Sequence, residues 1–302
     1  MSKRNWALVA ATLVSIIYGV TFTIAKDVMP KHIDAFGFIF LRVGGSMLLF
    51  WFTSLVIGWF HPERNEKIEK ADFPRIIAAS FFGIAFNMLT FFKGLSYTSP
   101  IMGAVLMVTT PMIVLVLSAI LIKERMENRK LIGILLGLAG TITLILYGKS
   151  MVNAPNATLG NILVFVNAVS YGFYLIIVKK LMDKYKALSF VKWIYFFGFL
   201  MVIPFGWSEF QAVTWATLPT SAFLKIGFVV VFSTFLTYLL NLLSMKELKP
   251  TTVAVFIYLQ PLFASIFAIG LGKDELSWVK IGSALLIFVG VYLVTIKAQK
   301  QE

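Results

Sequence analysis

Residues 100–111 read PIMGAVLMVTTP, and residues 250–261 read PTTVAVFIYLQP. Each stretch is apolar, opens on one proline and closes on another, and the second begins 150 residues after the first. Ala104-Val105 falls on Ala254-Val255 in this register, and Pro111 on Pro261. A proline in a helix interior removes one backbone hydrogen bond and displaces the carbonyl four residues earlier, here those of Met107 and Ile257. In hydrocarbon a freed carbonyl must find a partner, so such breaks are tolerated where a helix faces protein or a water-filled cavity. Two matched breaks predict a duplicated chain whose polar groups gather beside Pro111 and Pro261.

The register extends outward. At the same offset of 150, Glu124 falls on Asp274 and Gly140 on Gly290; an offset of 153 brings Tyr18-Gly19 onto Tyr171-Gly172, Ser15 onto Ala168 and Lys26 onto Lys179. The copies occupy residues 1–147 and 159–297, with a polar linker over 148–158. Of the 302 residues, 59% are apolar or aromatic and only 14% charged, and the mean hydropathy is +0.87. Soluble domains carry about 25% charged residues, and a globule this apolar would expose large greasy patches to water. A bilayer must be the solvent. Spanning helices need about 20 apolar residues each. Ten runs between charged breaks meet that need, over 6–25, 35–60, 76–92, 100–122, 131–147, 159–178, 188–207, 220–243, 250–270 and 281–296. The first is too long, and lacks a small-residue cleavage site, to be a removed signal peptide.

The expected fold class is therefore an all-α polytopic membrane protein with ten transmembrane helices. Too little chain remains for a large soluble domain, which excludes a cytosolic enzyme and a receptor with a big ectodomain. Five spans per copy is an odd number, so the second copy enters the membrane from the opposite side. Inverted repeats of this kind bind substrate between their halves and expose it to each side in turn.

The net charge is +13, from 27 Lys and Arg against 14 Asp and Glu. Counting basic residues near span ends with the adjoining loop, 19 fall on the side of both termini and 7 on the other, and Arg42 is the only one well inside a span. The positive-inside rule then puts both termini in the cytoplasm of a plasma (inner) membrane protein. It also accounts for the charge without nucleic acid. The chain has no cysteine, hence no disulfide framework, thiolate metal site or cysteine nucleophile.

Gly94-Leu-Ser-Tyr-Thr-Ser-Pro100, followed by Ala104-Val105, Pro111 and Ile122-Lys-Glu124-Arg125, resembles the fourth-helix region of EamA-type members of the drug/metabolite transporter superfamily. The second copy, from Glu247-Leu-Lys-Pro250 through Gln260-Pro261 to Lys273-Asp-Glu275, is similar and looser, and Leu41-Arg42-Val43 resembles another motif of the family. The resemblance covers nearly the whole chain. It implies ten helices, cytoplasmic termini, a central cavity and movement of small organic metabolites, commonly amino-acid efflux.

Candidate residues follow from the cost of polar groups in hydrocarbon. Arg42 lies roughly 10–12 Å below the outer boundary at about 1.5 Å of rise per residue. It either recognises a bound carboxylate or phosphate with its bidentate fork, or snorkels and bonds backbone carbonyls. Mid-span hydroxyls and amides need partners. Tyr18, Asn87, Phe91, Tyr171, Tyr174, Tyr238, Asn241 and Tyr258 are therefore candidate cavity residues, as are Thr109, Thr110 and Gln260 beside the two prolines. Pro111 and Pro261 are candidate conformational breaks, the alternative being packing kinks. Glu124, Arg125, Asp274 and Glu275, at the ends of spans four and nine, are candidate gates, the alternative being solvated helix ends. Carboxylates lie at boundaries rather than deep in spans, which favours facilitated diffusion or exchange over ion coupling through a buried acid. Gly133, Gly137 and Gly140 space a small-residue stripe that serves helix packing within a monomer or, alternatively, a homodimer face.

No HExxH, GxSxG or Walker A spacing is present, so no enzyme, metal or cofactor is expected. The expected partners are a small-molecule substrate and the lipid bilayer. The function read is a secondary transporter of amino acids or related amphiphiles, working as exporter, facilitator or exchanger. The alternatives are efflux of lipophilic cations, antiport of phosphorylated metabolites, a channel, or a membrane scaffold.

Overall fold

A computed structural model describes residues 2–29, 31–61, 66–97, 106–124, 127–146, 157–270 and 277–296. Among these no strand occurs. The helices are α1 (Lys3–Val28), α2 (Ala35–Phe60), α3 (Phe73–Ser80), α4 (Phe86–Tyr97), α5 (Thr110–Leu121), α6 (Asn128–Leu146) and α7 (Ala157–Met182). They continue with α8 (Ala187–Gln211), α9 (Thr220–Val230), α10 (Thr237–Glu247), α11 (Pro250–Val255), α12 (Leu259–Gly270) and α13 (Trp278–Thr295). A π-helical segment, Phe81–Ala85, joins α3 to α4, and another, Val231–Leu236, joins α9 to α10. A 3-10 turn, Phe256–Tyr258, joins α11 to α12.

Eight runs among the described residues are long and apolar enough to cross a membrane: Lys3–Thr21, Ala35–Phe60, Lys70–Gly94, Thr158–Met182, Ala187–Gln211, Thr220–Glu247, Pro250–Phe267 and Trp278–Thr295. Thr110–Leu121 is a shorter apolar helix. The chain is thus an all-helical, multi-pass membrane protein. Eight of the ten expected spans reappear in that form. The fourth is described from Leu106, helical at 106–107 and again from Thr110 after a turn, and the fifth corresponds to the 19 residues of α6. Pro100, Arg125, Asp274, Glu275 and residues 147–156 of the linker region lie outside the described residues.

α6 lies along α13 and α2 along α8, while α4 and α5 pack on α7 as α10 and α12 pack on α1. The α6–α13 seam depends on glycine. A Cβ on Gly290 would stand 2.5 Å from the Gly133 carbonyl oxygen and 2.6 Å from the Gly137 nitrogen, so no side chain fits there. A Cβ on Gly133 would meet the Gly290 carbonyl at 2.7 Å, and one on Gly140 the Ser283 carbonyl at 2.8 Å. Rising numbers on α6 meet falling numbers on α13, so the two helices run antiparallel. Adding 150 converts one contact into the other. The glycine stripe is therefore engaged within the chain.

The large aromatic load packs the interior. Phe50, Tyr195, Ile194, Phe190 and Leu175 are buried in one extended core that spans α2, α7, α8 and α10. A second core joins Ile134, Tyr258, Leu259 and Ile287 around α6 and α13. Leu55, Trp59, Phe60, Leu224, Trp278 and Leu285 stay outward, where the bilayer replaces protein neighbours.

Candidate functional site

The two π-helical segments start 150 residues apart, at Phe81 and Val231. A π-turn widens the helix and loosens its carbonyls, and such turns concentrate at functional sites. In hydrocarbon those carbonyls require side-chain partners. Here they have them. Tyr238 donates its hydroxyl to the Gly83 carbonyl at 3.0 Å, and Ser170 donates to the Phe82 carbonyl at 2.7 Å. The Tyr174 ring lies against Gly83 so closely that a Cβ there would be 2.1 Å from the ring.

The second segment is met from α2 and α1. Arg42 donates Nε to Thr234 Oγ1 at 2.7 Å and Nη2 to the Ser233 carbonyl at 3.1 Å. Ser46 donates to the Val230 carbonyl at 3.1 Å. Thr237 Oγ1 donates to the Ser233 carbonyl at 2.7 Å and lies 3.2 Å from the Tyr18 hydroxyl. The guanidinium also acts electrostatically on Tyr18, Tyr195 and Tyr238.

Around these anchors the tyrosines form a continuous belt. Ring centroids are 5.9 Å apart for Tyr171 and Tyr174, 6.1 Å for Tyr174 and Tyr238, and 5.2 Å for Tyr238 and Tyr195. Asn87 and Asn167 clasp each other across α4 and α7: Asn167 Nδ2 donates to the Asn87 carbonyl at 2.6 Å and Asn87 Nδ2 to the Asn167 carbonyl at 3.3 Å. Tyr174 Oη, Asn167 Oδ1 and Ser233 Oγ are buried without a hydrogen-bond partner among the described residues. Buried polar atoms are almost always paired, so these atoms are open hydrogen-bonding capacity in the middle of the bundle, available to water or a bound molecule.

Of the residues singled out in the sequence, Tyr18, Arg42, Tyr171, Tyr174 and Tyr238 come together, with Asn87 beside them. Others do not join this group. Tyr258 is fully buried against Gly137, where a Cβ would stand 2.3 Å from its ring, and it belongs to the α6–α13 core. Phe91 stacks edge-on with Phe92 at 5.3 Å. Asn241 is buried on α10, and Gln260 is half-buried, its backbone oxygen facing Gly19.

Thr109 and Thr110 turn back on their own chain, donating to the Leu106 and Met107 carbonyls at 2.6 Å each. Thr110 thereby satisfies the carbonyl that Pro111 leaves unpaired. Pro111 stands in the first turn of α5, and Pro261 in the first turn of α12. Each restarts a helix, a position that suits proline because the first N–H groups have no intrahelical partner.

Sequence reading passed over Gly83, Ser170, Ser233, Thr234 and Thr237. Their one signal was a cluster of small and hydroxylated residues in the middle of otherwise apolar spans. Among the candidate gates, Glu124 is buried, accepting from Lys130 Nζ at 2.7 Å and from Thr251 Oγ1 at 2.9 Å. Outside the spans, Lys184 donates to Asp72 at 2.6 Å and Glu69 at 2.7 Å; these carboxylates hold its ammonium well above the usual lysine range and fasten the end of α7 to the start of α3. No cluster of His, Asp and Glu with metal-ligand geometry occurs among the described residues.

The sequence profile of the EamA-like transporter family matches residues 5–146 and 158–296. The uncharacterized transporter YetK of Bacillus subtilis is 23% identical over 303 residues, covering 100% of this chain and 90% of that protein. An uncharacterized transporter of Archaeoglobus fulgidus is 24% identical, covering 98% of this chain and 99% of its own length. One solved protein crystal structure superposes with a TM-score of 0.78 at 15% identity, over 96% of this chain and 97% of the other, and so shares the fold. With the family profile covering almost all of the chain, and the membrane helices in place, this protein belongs to the EamA-like transporter family.

Proposed function

We propose that the chain is a secondary transporter working by alternating access, built as two inverted five-helix repeats over 1–147 and 159–297 with both termini in the cytoplasm. It moves small organic metabolites across the plasma membrane, and amino acids or related amphiphiles are the substrate class. The observation that carries this reading is the polar belt at the paired π-turns. Tyr18 and Arg42 from the first copy meet Tyr171, Tyr174, Tyr195 and Tyr238 from the second, leaving buried hydroxyls and an amide oxygen unpaired. Antiparallel packing of α6 on α13 supports the inversion. An aromatic, sparsely polar lining suits a molecule with an apolar side chain and one charged or zwitterionic end. Facilitated diffusion or exchange is the mode, and export the physiological direction.

Proteoliposome counterflow tests the reading. Vesicles preloaded with one amino acid from a panel that includes nucleobases, polyamines and lipophilic cations are expected to accumulate labelled amino acid saturably, without a pH gradient. Counterflow only with lipophilic cations replaces the substrate class with drugs. Flux without saturation or counter-stimulation makes the protein a channel. No flux with any compound refutes the carrier reading.

A further inference from the structure

We infer that Glu124 and Thr251 form a latch that closes the cytoplasmic end of the carrier in the state this structure represents. The inference rests on the alternating-access reading above. Packing divides these helices into two groups: α3, α4 and α5 on α7, and α9, α10 and α12 on α1. Glu124 follows the end of the first group's α5, and Thr251 stands in the first turn of α11, which leads into α12.

The Glu124 side chain is only 2% exposed. Its Oε1 accepts from Lys130 Nζ at 2.7 Å, and its Oε2 accepts from Thr251 Oγ1 at 2.9 Å. Lys249, also from the α11 side, brings its Nζ to 4.0 Å. One carboxylate oxygen is therefore held from its own copy and the other from the opposite group. A second tie lies at the same end of the bundle, where Lys179 of α7 donates to the Met245 carbonyl of α10 at 3.0 Å.

Two features distinguish a latch from a permanent strut. First, a buried carboxylate stripped of all partners is strongly destabilising, but parting the two groups here breaks the Thr251 bond and the longer Lys249 contact while Glu124 keeps its 2.7 Å pairing with Lys130 of its own copy. Opening does not orphan the charge. Second, the approach to Glu124 is strained. Lys123 adopts the left-handed conformation at φ 53°, and both the Ile122 and Glu124 amides donate to the Ser118 carbonyl at 3.1 Å. This helix-closing turn ordinarily takes glycine. A lysine persists there only while its surroundings hold it, and strain of this sort concentrates at switch points. Lys123 immediately precedes Glu124, whose carboxylate is anchored at both oxygens.

The natural chain lacks cysteine, so a single Ser118→Cys substitution reports on the latch without background. Ser118 is fully buried, and its hydroxyl has no partner among the described residues. In inside-out membrane vesicles, a membrane-impermeant maleimide is expected to label Ser118→Cys slowly when Glu124 and Thr251 are intact. Adding Thr251→Val or Glu124→Gln should raise the rate by about tenfold, the factor equivalent to losing one hydrogen bond to a charged group. Thr251→Ser, which keeps the hydroxyl, should label at the parental rate. Monodisperse elution in detergent establishes that each variant is folded; if Thr251→Val fails that check, Glu124→Asp, which shortens the carboxylate's reach, takes its place. Parental labelling rates in folded Glu124→Gln and Thr251→Val or Glu124→Asp overturn the latch, as does fast labelling of Thr251→Ser. The readout needs no substrate, so its failure is separable from a failure of the transport reading.

Discussion

Arg42 shows how a single side chain divides between structure and recognition. Its Nε and one terminal nitrogen are committed to Thr234 and the Ser233 carbonyl, which leaves Nη1 outside those two bonds. Hydrogen bonds to charged groups contribute about 1.5–3 kcal/mol each, so Arg42→Ala is expected to destabilise the fold by roughly that amount or more. Arg42→Lys, with a point charge in place of the fork, retains one bond. Thermal unfolding in detergent should rank the proteins parent, Arg42→Lys, Arg42→Ala. If Arg42→Ala melts with the parent, the π-turn does not depend on it. Gly83 makes the complementary point. The Tyr174 ring occupies the space a Cβ would need, at 2.1 Å, and overpacking typically costs about 1–3 kcal/mol. Gly83→Ala should therefore lower the melting midpoint and flux together, whereas adding Tyr174→Ala should recover stability. Arg42 was legible in sequence because a charge inside a span is conspicuous. Gly83 was not, because what requires it is a ring 91 positions away.

At the scale of elements, the matched prolines pointed to the stretches where the helical winding changes. Pro111 stands in the first turn of α5 after a turn at 108–109, and Pro261 in the first turn of α12 just after the 3-10 turn Phe256–Tyr258. Polar side chains nearby absorb the cost: Thr110 caps the Met107 carbonyl at 2.6 Å, and Ser15 donates to the Phe256 carbonyl at 2.9 Å. The π-turns were marked more weakly, by Gly83 in Phe81–Ala85 and by Ser233 and Thr234 in Val231–Leu236. Partners arriving from α2, α7 and α10 show where the widening falls. The α6–α13 seam supplies a test at this scale. Backbone meets backbone at Gly290, with a Cβ only 2.5 Å from the Gly133 oxygen, so no rotamer change relieves a side chain there. Gly290→Val should force the two helices apart and unfold more readily than Gly282→Val, since nothing lies within 4 Å of a Cβ at Gly282. Equal melting midpoints would show that the seam yields without cost.

For the whole molecule, orientation rests on the 19-to-7 distribution of basic residues among alternate loops. A reporter active only in the cytoplasm, fused at the carboxyl end, should be active. One fused after residue 152, in the region between the two copies, should be silent, because five spans separate it from the amino terminus. Activity at both positions would contradict the inverted arrangement. Composition alone required a membrane, since no aqueous surface accommodates this much apolar area. Periodic charged breaks placed the helices, and residue matches recur at offsets of 150 and 153. These properties are carried by residue type and spacing along one chain, which is why they can be read without coordinates. The tertiary structure alone decided which tyrosines meet, that Tyr258 packs against Gly137 instead of joining them, that Arg42 grips a π-turn, and that Glu124 is bonded from both copies. Each of those depends on helices brought together from distant parts of the chain, and close packing, not local preference, selects which side chains share the space.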